Sequence, residues 1–238
     1  MSGEYFFLHR GRQRSMAATD SPVCANQGTL ILGIVDNDEI TLRSLAREIK
    51  ELIPAVRIAW LTSSGAEAVR KALGPVKPNI VLVDMSMEDM PGLMVCRRIR
   101  QRTDQVKLLA MTSFSLEVYR ERAVRAGTQG IVSKSSEPDI IRGLLAMARN
   151  ETYGDTFESA ALSHIRLRSA PQMQQDLLSG RETQVMDLVS EGLDDRQIAA
   201  QLNIAEPTVR KHAQTVMRKL QVHNRVQAVL RWLGKYEL

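Results

Sequence analysis

The stretch Asn79-Ile80-Val81-Leu82-Val83-Asp84 constrains the fold more than any other part of this 238-residue chain. Four apolar residues, all β-branched except Leu82, run without a polar break. That is the pattern of a strand buried on both faces, as in a parallel sheet with helices above and below. The run ends in an acid. In open parallel sheets the site lies outside the carboxyl ends of the strands, so Asp84 falls where a ligand or a reaction is expected. The competing reading is a capping or turn aspartate, and the remainder of the chain decides between them.

Similar strand signals recur at 30–35, 56–61, 106–111 and 130–132. Between them lie helical patterns: one carrying Ile40, Leu42, Leu45, Ile49 and Leu52 and stopped by Pro54, one capped by Ser64 and ended by Gly74-Pro75, one opened by Pro91, one followed by Gly127, and one over 137–149. Five strands alternating with five helices predict a doubly wound α/β domain with a five-stranded parallel sheet over 29–149. Residues 150–176 are rich in Ser, Gln, Gly and Pro and read as a linker, with a short helix around 158–167. Residues 177–238 carry only helical patterns, near 180–191, 195–202, 206–220 and 224–233. Residues 1–28 hold Arg10, Arg12 and Arg14 after a short apolar run, which is neither a secretion signal nor a core element, and read as a disordered tail. Apolar runs fall short of the ~18 residues of a membrane span. Two cysteines, Cys24 and Cys96, give neither a disulfide framework nor a metal site, so a reduced, cytoplasmic chain without a membrane partner is expected.

Polar groups gather at the predicted strand ends: Asp36 and Asp38 after the first, Asp84 after the third, Thr112 after the fourth and Lys134 after the fifth. Neighbouring carboxylates repel unless a cation lies between them, and Mg²⁺ takes oxygen ligands while keeping several waters. A hydroxyl and a lysine nearby can neutralise a phosphoryl group on Asp84. The plain alternative is a set of solvated loop-end residues.

Here residues 29–149 resemble the receiver domain of two-component response regulators, on Ile34-Val35-Asp36-Asn37, on Asp84 with Met87 and Gly92 at the family spacing, on Met111-Thr112-Ser113 and on Ser133-Lys134. The resemblance implies a flavodoxin-like fold and Asp84 as phosphoacceptor. It also implies Mg²⁺ held by Asp36, Asp84 and the Ser86 backbone carbonyl, with Thr112 and Lys134 on the phosphoryl oxygens. The chain departs from the pattern in four places. Asn37 stands for the usual second acid and should weaken Mg²⁺ binding. Glu88 stands for a common proline, Ile131 for an aromatic switch residue, and Ser135 for a proline after the lysine.

In the terminal segment, 195–202, a turn at 203–205 and 206–220 make a helix-turn-helix pattern with a small core of Ile198, Ala199, Leu202, Ile204 and Val209. From Pro207 to Lys235 there are seven Lys/Arg and no Asp or Glu, a one-signed run suited to a phosphate backbone. The bland alternative is a solvated basic face. Residues 177–238 resemble the LuxR-type helix-turn-helix domain on Leu178-Ser179-Gly180-Arg181-Glu182, Gly192-Leu193, Gln197-Ile198-Ala199, Thr208-Val209-Arg210-Lys211-His212 and Lys219-Leu220. Receiver followed by LuxR-type domain is the NarL/FixJ architecture.

The expectation is thus a response regulator and not an enzyme, phosphorylated on Asp84 by a sensor histidine kinase and binding operator DNA as a homodimer. Arg210, Lys211 and Gln214 are expected at bases, Thr208, Arg218 and Lys219 at phosphates. Two rivals remain. One is a regulator of the same build whose receiver dimerises or senses a ligand without phosphate. The other is an aspartyl-phosphate phosphatase, which needs a second carboxylate two residues after the nucleophile, where this chain has Ser86.

Overall fold

The computed structural model describes residues 30–170 and 178–233. The expected tail at 1–28 and the end of the expected linker lie outside them. The described part opens with an alternation of strand and helix: β1 (Ile31–Val35), α1 (Glu39–Leu52), β2 (Arg57–Thr62), α2 (Gly65–Ala72), β3 (Ile80–Asp84), α3 (Gly92–Arg100), β4 (Lys107–Thr112), α4 (Leu116–Ala126), β5 (Gly130–Ser133) and α5 (Glu137–Ala148). The strands form one parallel sheet in the order β2-β1-β3-β4-β5, so chain direction across the sheet reverses beside β1 and β3.

β3 is buried along its whole length, as its unbroken apolar run requires. Its residues alternate between two cores. Ile80 and Leu82 join Leu42, Leu45 and Ile49 of α1 and Ile140 and Leu144 of α5 on one face. Val81 and Val83 join Ala68, Val95, Ile99 and Tyr119 of α2, α3 and α4 on the other. A register shift between Leu32 and Gly33 sits where the Trp60 ring lies over Gly33, leaving no room for a Cβ.

The expected linker is a correction as far as Ala170. Residues 150–170 are packed on the receiver. Tyr153 bridges to Gly130, Phe157 enters the core, and α6 (Ala160–Leu167) lies against α3. His164 Nδ1 lies 2.6 Å from the Arg100 carbonyl, and Arg166 donates to the Val124 and Arg125 carbonyls at the end of α4. A Ser- and Gly-containing segment looked free because its few anchors are isolated rather than periodic.

Beyond Leu178 come α7 (Gly180–Ser190), α8 (Asp195–Leu202), α9 (Glu206–Lys219) and α10 (Arg225–Trp232). Ser179 with Glu182, and Asp194 with Gln197, close capping boxes that start α7 and α8. Asn203, left-handed at φ 52°, makes the turn into α9. Ile198, Ala199 and Val209 are buried as expected, whereas Leu202 and Ile204 pack at the margin of that core. Asp195 binds Arg210 at 3.3 Å and Arg225 at 2.7 Å, which ties α8 to α9 and α10.

Candidate functional site

At the carboxyl edge of the sheet, Asp36 follows β1 and Asp84 ends β3. Both are buried, at 0% and 1% exposure. Lys134, just past β5, reaches back between them, its Nζ 2.6 Å from Asp36 Oδ2 and 3.3 Å from Asp84 Oδ2. Its own amide donates to the Thr112 carbonyl at 2.8 Å, which fixes lysine and threonine side by side. Thr112, fully buried, accepts at Oγ1 from the Phe114 amide at 3.1 Å. The four residues expected to converge are therefore all at this edge.

One ammonium faces two buried carboxylates. Burial first, and the Asp36 charge second to the opposing pull of Lys134, raise the Asp84 carboxyl to about 6. Burial works against the Lys134 ammonium, yet Asp84 and Asp36 outweigh it and hold its pKa above the ordinary value. Asp38 does not enlarge the cluster. Its carboxylate accepts from the Ile40 and Thr41 amides and caps α1. Asn37 is exposed, and Glu88 is exposed on the following loop, 3.7 Å from Arg181.

The loop after Asp84 is held from three sides. The Ser86 amide donates to Asp84 Oδ1 at 3.3 Å. Asp89 accepts from Ser64 Oγ and the Gly65 and Ala66 amides, pinning the loop to the start of α2. Gly92 opens α3 so close to the strand end that a Cβ would meet the Asp84 carbonyl at 2.1 Å. The donor set fits a hard cation. Asp36 Oδ2 is buried with only the Lys134 charge for a partner, and Ser86 Oγ is buried without one. Among the described residues no three His, Cys, Asp or Glu side chains gather. A cation here would therefore rest on two carboxylates, a main-chain carbonyl and water, the set that suits Mg²⁺.

On α9, Val209 faces the core while Arg210, Lys211, Gln214 and Arg218 are exposed and Thr208 is half-buried. Arg210 is engaged by Asp195 and Glu206. Lys219 lies 2.7 Å from Glu182 of α7, so in this arrangement it points at its own domain rather than outward.

Sequence reasoning missed what joins the two halves. α7 is buried from Glu182 through Val189, on the receiver side as well as its own. Asp187 of α7 accepts from Tyr119 Oη, from Arg122 Nη1 at 2.9 Å and from Trp232 Nε1 at 2.9 Å. Arg122 lies between the Tyr119 and Trp232 rings, 4.6 and 3.6 Å from their centroids. Gln184 donates to the Ser86 carbonyl at 3.0 Å. The available signal was Thr183, Gln184 and Asp187 lying beside and among the apolar Val185, Met186, Leu188 and Val189. It marks a second covered face without saying what covers it.

Comparison with known proteins places both halves. Residues 32–146 match the family described as response regulator receiver domain, and residues 176–232 the family described as bacterial regulatory proteins, luxR family. The response regulator protein VraR of Staphylococcus aureus strain Mu3 is 34% identical over 172 residues, which cover 71% of this chain and 79% of that protein. The same protein from strain NCTC 8325 is 33% identical over 172 residues, with the same coverage. Among solved structures, the two-component response regulator RcsB–DNA complex aligns with a TM-score of 0.51 at 20% identity, covering 88% of this chain and 100% of that one. A structure of two RcsB dimers bound to two parallel DNAs aligns at 0.50 and 22%, with the same coverage. At that identity the likeness speaks for the fold.

Proposed function

We propose, from the premise that this chain belongs to the response regulators that join a receiver domain to a LuxR-type DNA-binding domain, that Asp84 is the residue through which it is switched. The chain is a transcription regulator of the NarL/FixJ arrangement, a family without enzymatic output. Receiver domains of this family generally bind Mg²⁺ for phosphorylation.

In this reading a sensor histidine kinase donates a phosphoryl group to Asp84 in the cytoplasm, and the observation that carries it is Lys134 set between the buried carboxylates of Asp36 and Asp84. Ionised Asp84 is the nucleophile: one carboxylate oxygen bonds to phosphorus as the phosphorus–nitrogen bond to the kinase histidine breaks and the imidazole leaves. Asp36, Asp84 and the Ser86 carbonyl hold Mg²⁺, which supplies positive charge against the phosphoryl oxygens. Lys134 exchanges part of its pairing with Asp84 for a phosphoryl oxygen. The Thr112 hydroxyl, which now accepts from Phe114, turns to donate to another. Among the described residues no helix is long and apolar enough to cross a membrane.

The docked arrangement is the restrained state. α7, through Asp187, and Trp232 of α10 are engaged by Arg122 of the receiver, and α10 is the helix whose Val226, 69% exposed, offers an apolar contact to a second copy. Phosphorylation releases them, and the dimer binds operator DNA through α9. Arg210, Lys211 and Gln214 read bases, and Thr208, Arg218 and Lys219 hold phosphates. For Arg210 and Lys219 this requires exchange of their present acidic partners. The phosphate-independent reading rests on Asn37 and Glu88, and both are exposed, outside the cluster of Asp36, Asp84 and Lys134.

The test is incubation with acetyl phosphate, or with a beryllofluoride analogue, with and without Mg²⁺, followed by intact mass or NMR. A Mg²⁺-dependent adduct in the wild type that is lost in Asp84→Ala is expected. An equal adduct in Asp84→Ala rejects the assignment.

A further inference from the structure

The loop that follows Asp84 is covered by the DNA-binding domain along three consecutive peptide groups. Gln184 Nε2 donates to the Ser86 carbonyl at 3.0 Å. The first turn of α7 lies so close to the next two carbonyls that a Cβ on Gly180 would stand 2.2 Å from the Met87 oxygen and 2.3 Å from the Glu88 oxygen. Arg181 then pairs with Glu88 at 3.7 Å. Gln184 is itself buried, at 6% exposure.

We propose that the Ser86 carbonyl serves both the cation and the DNA-binding domain, each at the other's expense, so that cation loading and domain docking oppose one another, with Gln184 as the group that senses loading. The inference rests on the cation site argued above, of which this carbonyl is one ligand. An octahedral Mg²⁺ takes its oxygens at about 2.0–2.1 Å and keeps several waters. The Gln184 amide presents the positive end of an N–H dipole to the same oxygen. The oxygen has two lone pairs, so the opposition is one of charge: an oxygen polarised by the cation is a weaker acceptor for the Gln184 amide, and an oxygen engaged by the amide is a weaker ligand for the cation. With the cation bound, Gln184 Nε2 is left with a weakened acceptor inside a buried interface, while its Oε1 still accepts from Arg181 Nη1 at 2.9 Å, and the weakened hydrogen bond favours undocking. Ser86 transmits the change because its own amide is bonded to Asp84 Oδ1. Coupling of this kind is reciprocal. The factor by which docking weakens cation binding is the factor by which the cation weakens docking. The receiver is thereby loosened before any phosphoryl group arrives, and phosphorylation completes a release that the cation begins.

The experiment titrates Mg²⁺ alone, with no phosphoryl donor, into the full-length chain by calorimetry. Emission of Trp232 is followed in parallel in a Trp60→Phe background, where it is the remaining tryptophan. In the docked state that indole stacks on Arg122 and donates to Asp187. Mg²⁺ is expected to shift Trp232 emission toward that of an exposed indole. Gln184→Met, close in volume and unable to donate, is expected to bind Mg²⁺ about fivefold more tightly. Arg122→Ala loosens docking away from Ser86 and is expected to tighten it as well. Equal Mg²⁺ affinity in all three proteins, or Trp232 emission unmoved by bound Mg²⁺, overturns the inference and leaves the cation site standing. Absence of Mg²⁺ binding in every protein overturns the cation site, and the inference with it.

Discussion

Tyr119 of the receiver donates its phenolic hydrogen to Asp187 of the DNA-binding domain, and both side chains are buried. Burial raises the pKa of each group. The Tyr119 ring also stacks on Phe114, with centroids 6.1 Å apart, and the Phe114 amide donates to Thr112 Oγ1. A continuous path thus runs from the hydroxyl expected to meet the phosphoryl group, through two aromatic rings, to a carboxylate in the other domain. With Ile131 at the position of the family's aromatic switch, the rings near the pocket are those of the β4–α4 segment.

Removing one partner of a buried ion pair leaves the other charge stranded, at a cost of about 3–5 kcal/mol. Arg122→Ala does this to Asp187, whose other donors are neutral. The stranded carboxylate regains water only if the domains part. The variant is expected to show a larger radius in solution scattering and higher operator affinity without phosphorylation. A wild-type radius together with wild-type affinity would show that this pair does not hold the domains.

Asp84 gives a pH test with a definite sign. Its carboxyl is raised from 3.8 to about 6, so the folded state binds the proton more tightly than the unfolded chain does. The resulting stability is fully present below about 3.8 and lost as pH rises through about 6. A shift of about two units corresponds to roughly 3 kcal/mol. Asp84→Asn removes that burden, so at neutral pH without Mg²⁺ it is expected to unfold at higher denaturant than the wild type. Near pH 4 the difference should vanish. A destabilised Asp84→Asn at neutral pH contradicts the electrostatic account of the pocket.

Asn37→Asp adds a charge at the residue next to Asp36 in the chain, at an exposed position that needs no repacking. Mg²⁺ affinity is expected to rise several-fold, and the gain should shrink in high salt because the added charge is solvated. Calorimetry at two ionic strengths checks both parts. Unchanged affinity would place Asn37 outside the cation's surroundings.

On α9 the assignments differ in kind. Losing a base reader costs about 1–3 kcal/mol and relaxes specificity at one position, while losing a phosphate contact weakens all sequences alike and lowers the salt slope by roughly one. Lys211→Ala is expected to reorder a panel of single-base operator variants. Lys219→Ala is expected to weaken them uniformly and flatten the salt dependence. A uniform loss in Lys211→Ala would remove Lys211 from the base readers.

The strands were legible because burial on two faces leaves an unbroken apolar run, and the helices because their caps and stops are local. Asp36, Asp84, Thr112 and Lys134 were legible because strand ends of a parallel sheet share one edge. Two things were not. Phe157 and Leu167 bury singly, and Tyr153 in part, along an otherwise polar segment, which leaves no period to detect. Gln184 and Asp187 owe their partners to the docking of one domain on another, and neither domain's own pattern encodes which surface it will meet. Lys219 is expected at a DNA phosphate from its place along the second helix, and in the docked arrangement it pairs with Glu182.

The anchoring of residues as far as Ala170 sets how far the two halves can separate. Leu178 is already part of the second domain's core, and the residues between these two, whatever path they take, reach at most roughly 30 Å. A released DNA-binding domain therefore remains at an effective concentration on the order of millimolar around the surface it left. Redocking is unimolecular and independent of how much protein the cell makes, whereas pairing with a second copy rises with abundance. Expression level and phosphorylation then push the same balance in the same direction. A chain made in excess will lean toward its DNA-binding form even when its signal is silent.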